Sequence, residues 1–224
     1  MTAIPSDADI IRLWEAGRNR SALARGLLLL SAARPALDER ACAEVSMAER
    51  DRVLLRFRRA MFGPVLPART ECPRCGEDLE FDLEEDGAPE SPVPAEVTLA
   101  DRARFRLPTS ADVAAGGSVS DLARRCCRDA TDVPDEATLA ALDARLAEQH
   151  AAAAIGLNLV CDACGHRWRD RLDIAAYLWG EIAHRAADLL DQVHWLASHY
   201  GWREAAILAI SPERRAAYLK RCGA

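Results

Sequence analysis

The chain has 224 residues, enough for one large domain or two small ones with a substantial core. Its net charge of −6 argues against general nucleic-acid binding, and a single lysine, Lys220, among many arginines reads as the coding bias of a GC-rich genome. The N-terminus carries Asp7 and Asp9 without a basic leader, and the run Gly26–Leu30 is far too short to cross a bilayer, so a cytosolic chain without membrane insertion is expected, where paired cysteines hold metal more often than they form disulfides.

Residues 7–32 read as a helix with Ile10, Leu13, Trp14 and Leu23 to Leu30 as its apolar positions, weakened by Gly17 and Gly26. Ser46 precedes Glu49 by three residues, a capping-box spacing, and opens a second helix over 47–62. Its apolar stripe is Val53, Leu54, Phe57 and Met61, surrounded by Arg50, Arg52, Arg56, Arg58 and Arg59. Those arginines form either a solvated face or a contact for a partner or an anion. Arg56 and Arg59 are the candidates for the second role. Gly63-Pro64 ends the helix.

Cys72-Pro73-Arg74-Cys75-Gly76 follows, and Asp78–Leu83 then alternates polar and apolar residues as a short strand. Residues 84–94 are acidic and proline-rich and read as a loop. Beyond it, Arg104–Thr109 is extended, Thr109 or Ser110 caps a short helix over 111–115, and Gly116-Gly117 stops it. Ser120 is a second cap, and a longer helix from Pro134 to about Ala154 carries Leu139, Leu142 and Leu146.

Leu157–Val160 enters a second cysteine turn, Cys161-Asp162-Ala163-Cys164-Gly165, and His166–Asp170 leaves it as a strand. One C-x-x-C is weak evidence. Two of them, each followed by glycine and flanked by short strands, point to a four-thiolate site of Cys72, Cys75, Cys161 and Cys164. Zinc is the expected ion, one per chain and structural, because four thiolates fill a tetrahedron and leave no open position. Iron held by rubredoxin-type knuckles is the lesser alternative, and a redox role for Cys72 and Cys75 a further one. His166 is expected outside the ligand set.

Asp173 caps a long helix over 174–199 with an apolar stripe of Ile174, Leu178, Ile182, Leu189, Val193 and Leu196, widened by Tyr177, Trp179 and Trp195. Gly201 fits a left-handed helix end, Trp202–Ile210 reads as a short helix, and Ser211-Pro212 opens the last one. The fold class is therefore mainly α: a helical protein in which a small, split, four-cysteine zinc ribbon of two short β-hairpins clamps a central helical insert. Its regions are N-terminal helices (1–66), the first ribbon half (67–86), a linker and helical insert (87–154), the second ribbon half (155–172) and C-terminal helices (173–224).

The catalytic inventory is poor. There is no H-E-x-x-H, P-loop, dinucleotide fingerprint or G-x-S-x-G, and His194 and His199 lie about 140° apart around their helix. No catalytic residue and no small-molecule substrate are expected.

The segment Leu196–Leu219, with His199-Tyr200-Gly201-Trp202, Ile207-Leu208 and Ser211-Pro212-Glu213-Arg214-Arg215, resembles the C-terminal signature of phage-type baseplate proteins of contractile tails and contractile injection systems. The split cysteine turns, with Arg50-Asp51-Arg52 and Phe62-Gly63-Pro64 before them, are similar to the same group, in particular to the T4-like baseplate hub assembly chaperones. The resemblance implies a structural or chaperone-like protein of the bacterial cytoplasm or of an assembled phage-tail-like particle, with baseplate hub or wedge proteins as partners. Trp202, Arg214, Arg215 and Tyr218 join Arg56 and Arg59 as candidate partner-binding residues, since tryptophan, tyrosine and arginine are favoured at interface centres. Zinc would fix the insert against the C-terminal helices. The alternative is a nucleic-acid-binding zinc ribbon, with Arg167, Trp168, Arg169 and Arg171 as its basic face, diluted by Asp162, Asp170 and Asp173.

Overall fold

The structure is a computed structural model and describes residues 4–84, 94–100, 102–129, 135–153 and 156–223. The expected loop falls mostly on 85–93 and the expected helix start on Pro134, both outside the described residues.

The first expected helix is two. Helix α1 (Asp7–Gly17) is opened by a capping box between Ser6 and Asp9, and α2 (Ala22–Ala33) by the Ser21 hydroxyl, which accepts from the Ala24 amide. The break has its own support: Arg25, on α2, donates to the carbonyls of Gly17 at 3.1 Å and Arg18 at 2.8 Å. These are the carbonyls that a helix end leaves without an internal partner. Gly17 also allows close packing, because a Cβ there would stand 2.4 Å from the Trp179 ring.

Short α3 (Glu39–Ala43) leads to α4 (Met47–Phe62), capped by Ser46 as expected. The box is not closed, however. Glu49 turns to Arg52 and Arg34 instead of to the Ser46 amide. Strands β1 (Val65–Glu71) and β2 (Asp78–Glu84) form an antiparallel hairpin in which Glu71 faces Asp78. In the insert, β3 (Glu96–Thr98) pairs with β4 (Arg104–Arg106). Then come α5 (Ser110–Ala114), capped by Thr109, α6 (Val119–Cys126) and α7 (Glu136–Ala153). The cap of α6 is Ser118, not Ser120: its hydroxyl and Asp121 close a capping box, which places Ser120 inside the first turn.

The second hairpin is β5 (Gly156–Val160) with β6 (Arg167–Arg171). Helix α8 (Ile174–Tyr200) begins at Asp173, which accepts from two amides, and ends at Gly201 with φ +67°. Helix α9 (Glu204–Ala209) starts two residues after Trp202, and α10 (Pro212–Cys222) starts with the expected Ser-Pro pair.

The main core lies between α1, α2, α4 and α8 and takes in Leu66 of β1. Leu178, Ile182, Leu189 and Leu196 of α8 are fully buried. Each such side chain contributes about 1.5–3 kcal/mol of burial. Trp195 does not widen this stripe; it lies 43% exposed and stacks on His199. A second, smaller core belongs to the insert, where Val97, Phe105, Leu107, Ala123 and Leu142 meet Ala48 of α4. The Met47 amide donates to the Pro108 carbonyl at 2.8 Å, and Ser46 bridges to Thr109. These contacts seat the insert on the N-terminal helices. An ion pair between Arg106 and buried Asp112 closes its base.

Candidate metal centre

Two hairpins that begin far apart in the chain bring their turns together. In each, the first cysteine follows a strand and its amide donates to the carbonyl five residues on: Cys72 to Glu77 at 2.8 Å and Cys161 to His166 at 2.9 Å. In each, the glycine amide donates back to the first cysteine's carbonyl, Gly76 to Cys72 at 2.9 Å and Gly165 to Cys161 at 2.8 Å. Both glycines take positive φ, +75° and +68°, a conformation most side chains resist. The same local instructions, written twice, thus build the same turn twice.

The four sulfurs lie within 4.8 Å of one another. Across the hairpins, Cys72 Sγ is 3.7 Å from Cys164 Sγ and Cys75 Sγ is 3.6 Å from Cys161 Sγ. A zinc ion about 2.3 Å from each of four thiolates in a tetrahedron would separate the sulfurs by about 3.8 Å, so the donor set fits that ion. Cys72 and Cys161 are buried, Cys164 is half-buried and Cys75 is exposed, which places the centre at the surface of the ribbon.

Electrostatics point the same way. Burial raises the Cys72 thiol, but the amides of Arg74 and Cys75 and the neighbouring thiols outweigh it and bring the group down to about 7. At Cys75 the Glu77 amide favours the thiolate, yet contacts with Cys164, Cys161 and Cys72, together with burial, push it up to about 12. Four sulfurs this close cannot all ionise beside one another without a cation to hold them.

His166 stays outside the cluster and stacks on Trp168 at 5.8 Å. The first hairpin is fixed to the helical body by two contacts that the sequence pattern did not reveal. Arg58, 1% exposed, forms a two-pronged bond to Glu181 of α8 at 2.9 and 2.6 Å and donates to the carbonyls of Gly63 and Val65. The Tyr177 hydroxyl donates to the Pro67 carbonyl at 2.8 Å.

The expected partner-binding residues separate. Arg56 and Arg59 are exposed on α4, whereas Arg50, Arg52 and Arg58 of the same helix turn to Asp51, Glu49 and Glu181. Trp202 is half-buried, stacked on Tyr200 at 4.8 Å and edge-on to Tyr218 at 4.9 Å. Arg214 is exposed and reaches over Tyr218. Arg215 is a correction: at 1% exposure it points inward, bonded to Asp7 and to Gln192, and offers nothing to a partner. One turn of α10 puts Arg214 outside and Arg215 inside, a distinction a bare Arg-Arg pair does not encode.

No protein-family model, no curated protein and no solved structure matches this chain.

Proposed function

We propose that the protein is a non-enzymatic scaffold or assembly factor whose split ribbon holds one structural zinc ion, and that it serves the baseplate of a phage-tail-like contractile system. The observation that carries the metal reading is the convergence of Cys72, Cys75, Cys161 and Cys164 from two matching turns. Four thiolates saturate zinc, so the ion would fix geometry and would not activate water. The baseplate reading is supported by the resemblance of the Leu196–Leu219 segment. Its partner surface would comprise Arg56 and Arg59 on α4, and Trp202 of the α8–α9 connection with Arg214 and Tyr218 of α10.

Metal analysis of purified protein tests the first part, with about one zinc per chain expected from a single four-ligand site. Tagging in a bacterial host, gentle purification and mass spectrometry test the second. Hub, spike or wedge proteins are the expected partners, and polymerase or ribosomal partners would refute the baseplate assignment.

A second reading has one observation in its favour. Arg167, Arg169 and Arg171 alternate along one face of β6, all exposed, with no ion pair among the described residues. That row suits a nucleic-acid backbone, and a gel-shift series in rising salt decides it, since phosphate contacts weaken steeply with salt.

A further inference from the structure

The two ribbon hairpins do not join into one sheet. β2 pairs only with β1 and β5 only with β6, so each has a free edge among the described residues. Within the same residues no backbone hydrogen bond reaches either edge. A groove of about 640 Å³ lies between the two strands. Its walls are Glu77–Phe81 and Leu83 on one side and Gly156–Val160 with Asp162 and Ala163 on the other, and no residue of β1 or β6 lines it. The edges of β2 and β5 that face away from β1 and β6 are the unpaired ones, and runs of neighbouring residues on both walls fit a groove bordered by those edges.

We propose that this groove accepts an extended, arginine- or lysine-bearing segment of a partner protein as an added β-strand between β2 and β5. The backbone edges supply the hydrogen bonds of strand addition, and Leu79, Phe81, Leu157 and Leu159 supply apolar contacts for alternate side chains. Charge selects the occupant. Glu77, Asp78, Glu80 and Asp162 line the groove, and no basic side chain does. Arg69 engages Asp78 from β1, whereas Glu77, Glu80 and Asp162 carry no ion pair among the described residues. Walls about five residues long accommodate roughly 15 Å of extended chain. The competing explanation is that the acids merely guard exposed edges against aggregation, in which case the groove binds nothing.

The proposal rests on a formed, metal-clamped ribbon but not on a baseplate role. Full-length protein of measured zinc content is titrated with a fluorescent peptide of about eight residues alternating valine and arginine, long enough to span the walls. Matched peptides carry glutamate in place of arginine, or a central proline. The arginine peptide is expected to bind, to weaken with salt, and to protect the amides of β2 and β5 from hydrogen exchange. The glutamate peptide should not bind, and proline should abolish binding by removing an edge hydrogen bond. The combined variant Glu77→Gln, Glu80→Gln, Asp162→Asn should lose about tenfold in affinity at unchanged zinc content. Equal binding of both charges, tolerance of proline, an unaffected variant, or edge amides already protected by the chain's own 85–93 segment would each overturn the proposal. Zinc-loaded protein that binds no peptide refutes the groove alone, whereas zinc-free protein refutes the clamp.

Discussion

Replacing Arg215 by methionine tests whether the C-terminal segment is tied to the N-terminus from within. Arg215 is 1% exposed and its partner Asp7 14%. The guanidinium also donates to Gln192 at 2.6 Å and, more weakly, towards the carbonyls of Ile207 and Ile210 at 3.4 Å. Breaking a buried pair from one side costs about 3–5 kcal/mol, because the other charge is left in a poor solvent. Here the lower end applies, since Arg185 still holds Asp7 at 3.0 Å and methionine fills most of the vacated volume. A loss of about 3 kcal/mol corresponds to roughly 6–12 °C in Tm for a chain of this length. The same network fixes the pH response. Burial works to raise the Asp7 carboxyl, but Arg215 and Arg185 together prevail and hold it below its ordinary value. A carboxylate so depressed stabilises the fold above its unfolded pKa of about 3.9, and that contribution disappears as pH falls through the folded value. Urea unfolding at pH 7 and at pH 3 of wild type, Arg215→Met, Asp7→Asn and the double variant forms a cycle. A coupling of about 1–2 kcal/mol is expected at pH 7, shrinking in acid. A loss below about 0.5 kcal/mol, the range of ordinary surface substitutions, or strictly additive effects, would refute the internal tie.

Cys75→Ser and Cys164→Ser lie on opposite hairpins, so each should reduce zinc content to the same degree; a variant that keeps full zinc would show that its cysteine is not a ligand. Acidification should release the metal as protons compete for the thiolates, with affinity falling as pH drops, which a chromophoric chelator follows directly. Asp112 is held well below the usual carboxylate range, chiefly by Arg106 and, against the opposing effect of burial, by the Thr109 amide and hydroxyl. Its stabilisation is present above about pH 3.9 and fades as pH falls, so Asp112→Asn should destabilise at pH 7 and flatten the acid limb of a stability–pH curve. Gly17→Ala should cost about 1–3 kcal/mol despite the better helix propensity of alanine, because the new methyl meets Trp179; a neutral or stabilised variant in thermal melts would show that the ring yields freely.

What the sequence made legible shares one property: the instruction and its effect sit within a few residues. The cysteine turns, the Asp173 and Ser211 caps, the Gly201 helix end and the β2 alternation are all of this kind. Most of the differences arise where a partner further along the chain decides. The break between α1 and α2 depends on Arg25 reaching back to the carbonyls of Gly17 and Arg18. The arginines of α4 look alike in the chain, yet Arg58 is drawn inward by Glu181, 123 residues away, while Arg56 stays in solvent. Arg215 and Arg214 divide in the same way, with Asp7 208 residues from its partner. Ser118 and Ser120 both have the chemistry of a cap, and only Asp121, three residues after Ser118, separates them. That signal was present in the sequence.

The distribution of buried side chains says what a metal held by the four cysteines would do. The helical body has a continuous core of its own across α1, α2, α4 and α8. The hairpins have almost none: Leu66 is the buried apolar side chain of β1, and Leu159 that of β5, apart from the cysteines themselves. Isolated two-stranded hairpins are marginal in water, so neither ribbon half has the means to hold its shape by packing. Arg58 and Tyr177 anchor the first half to the body, and Leu172, directly after β6, packs on the main core at one end of the second half, which leaves the cysteine turn at its other end to the thiolate cluster. Chelation should therefore act locally. Amide protection should vanish first in β5 and β6, then in β2, while α8 and α4 keep theirs and far-UV circular dichroism changes little. Loss of the helical signal together with the metal would mean instead that the ribbon holds the body up, and would reverse this ordering of dependence.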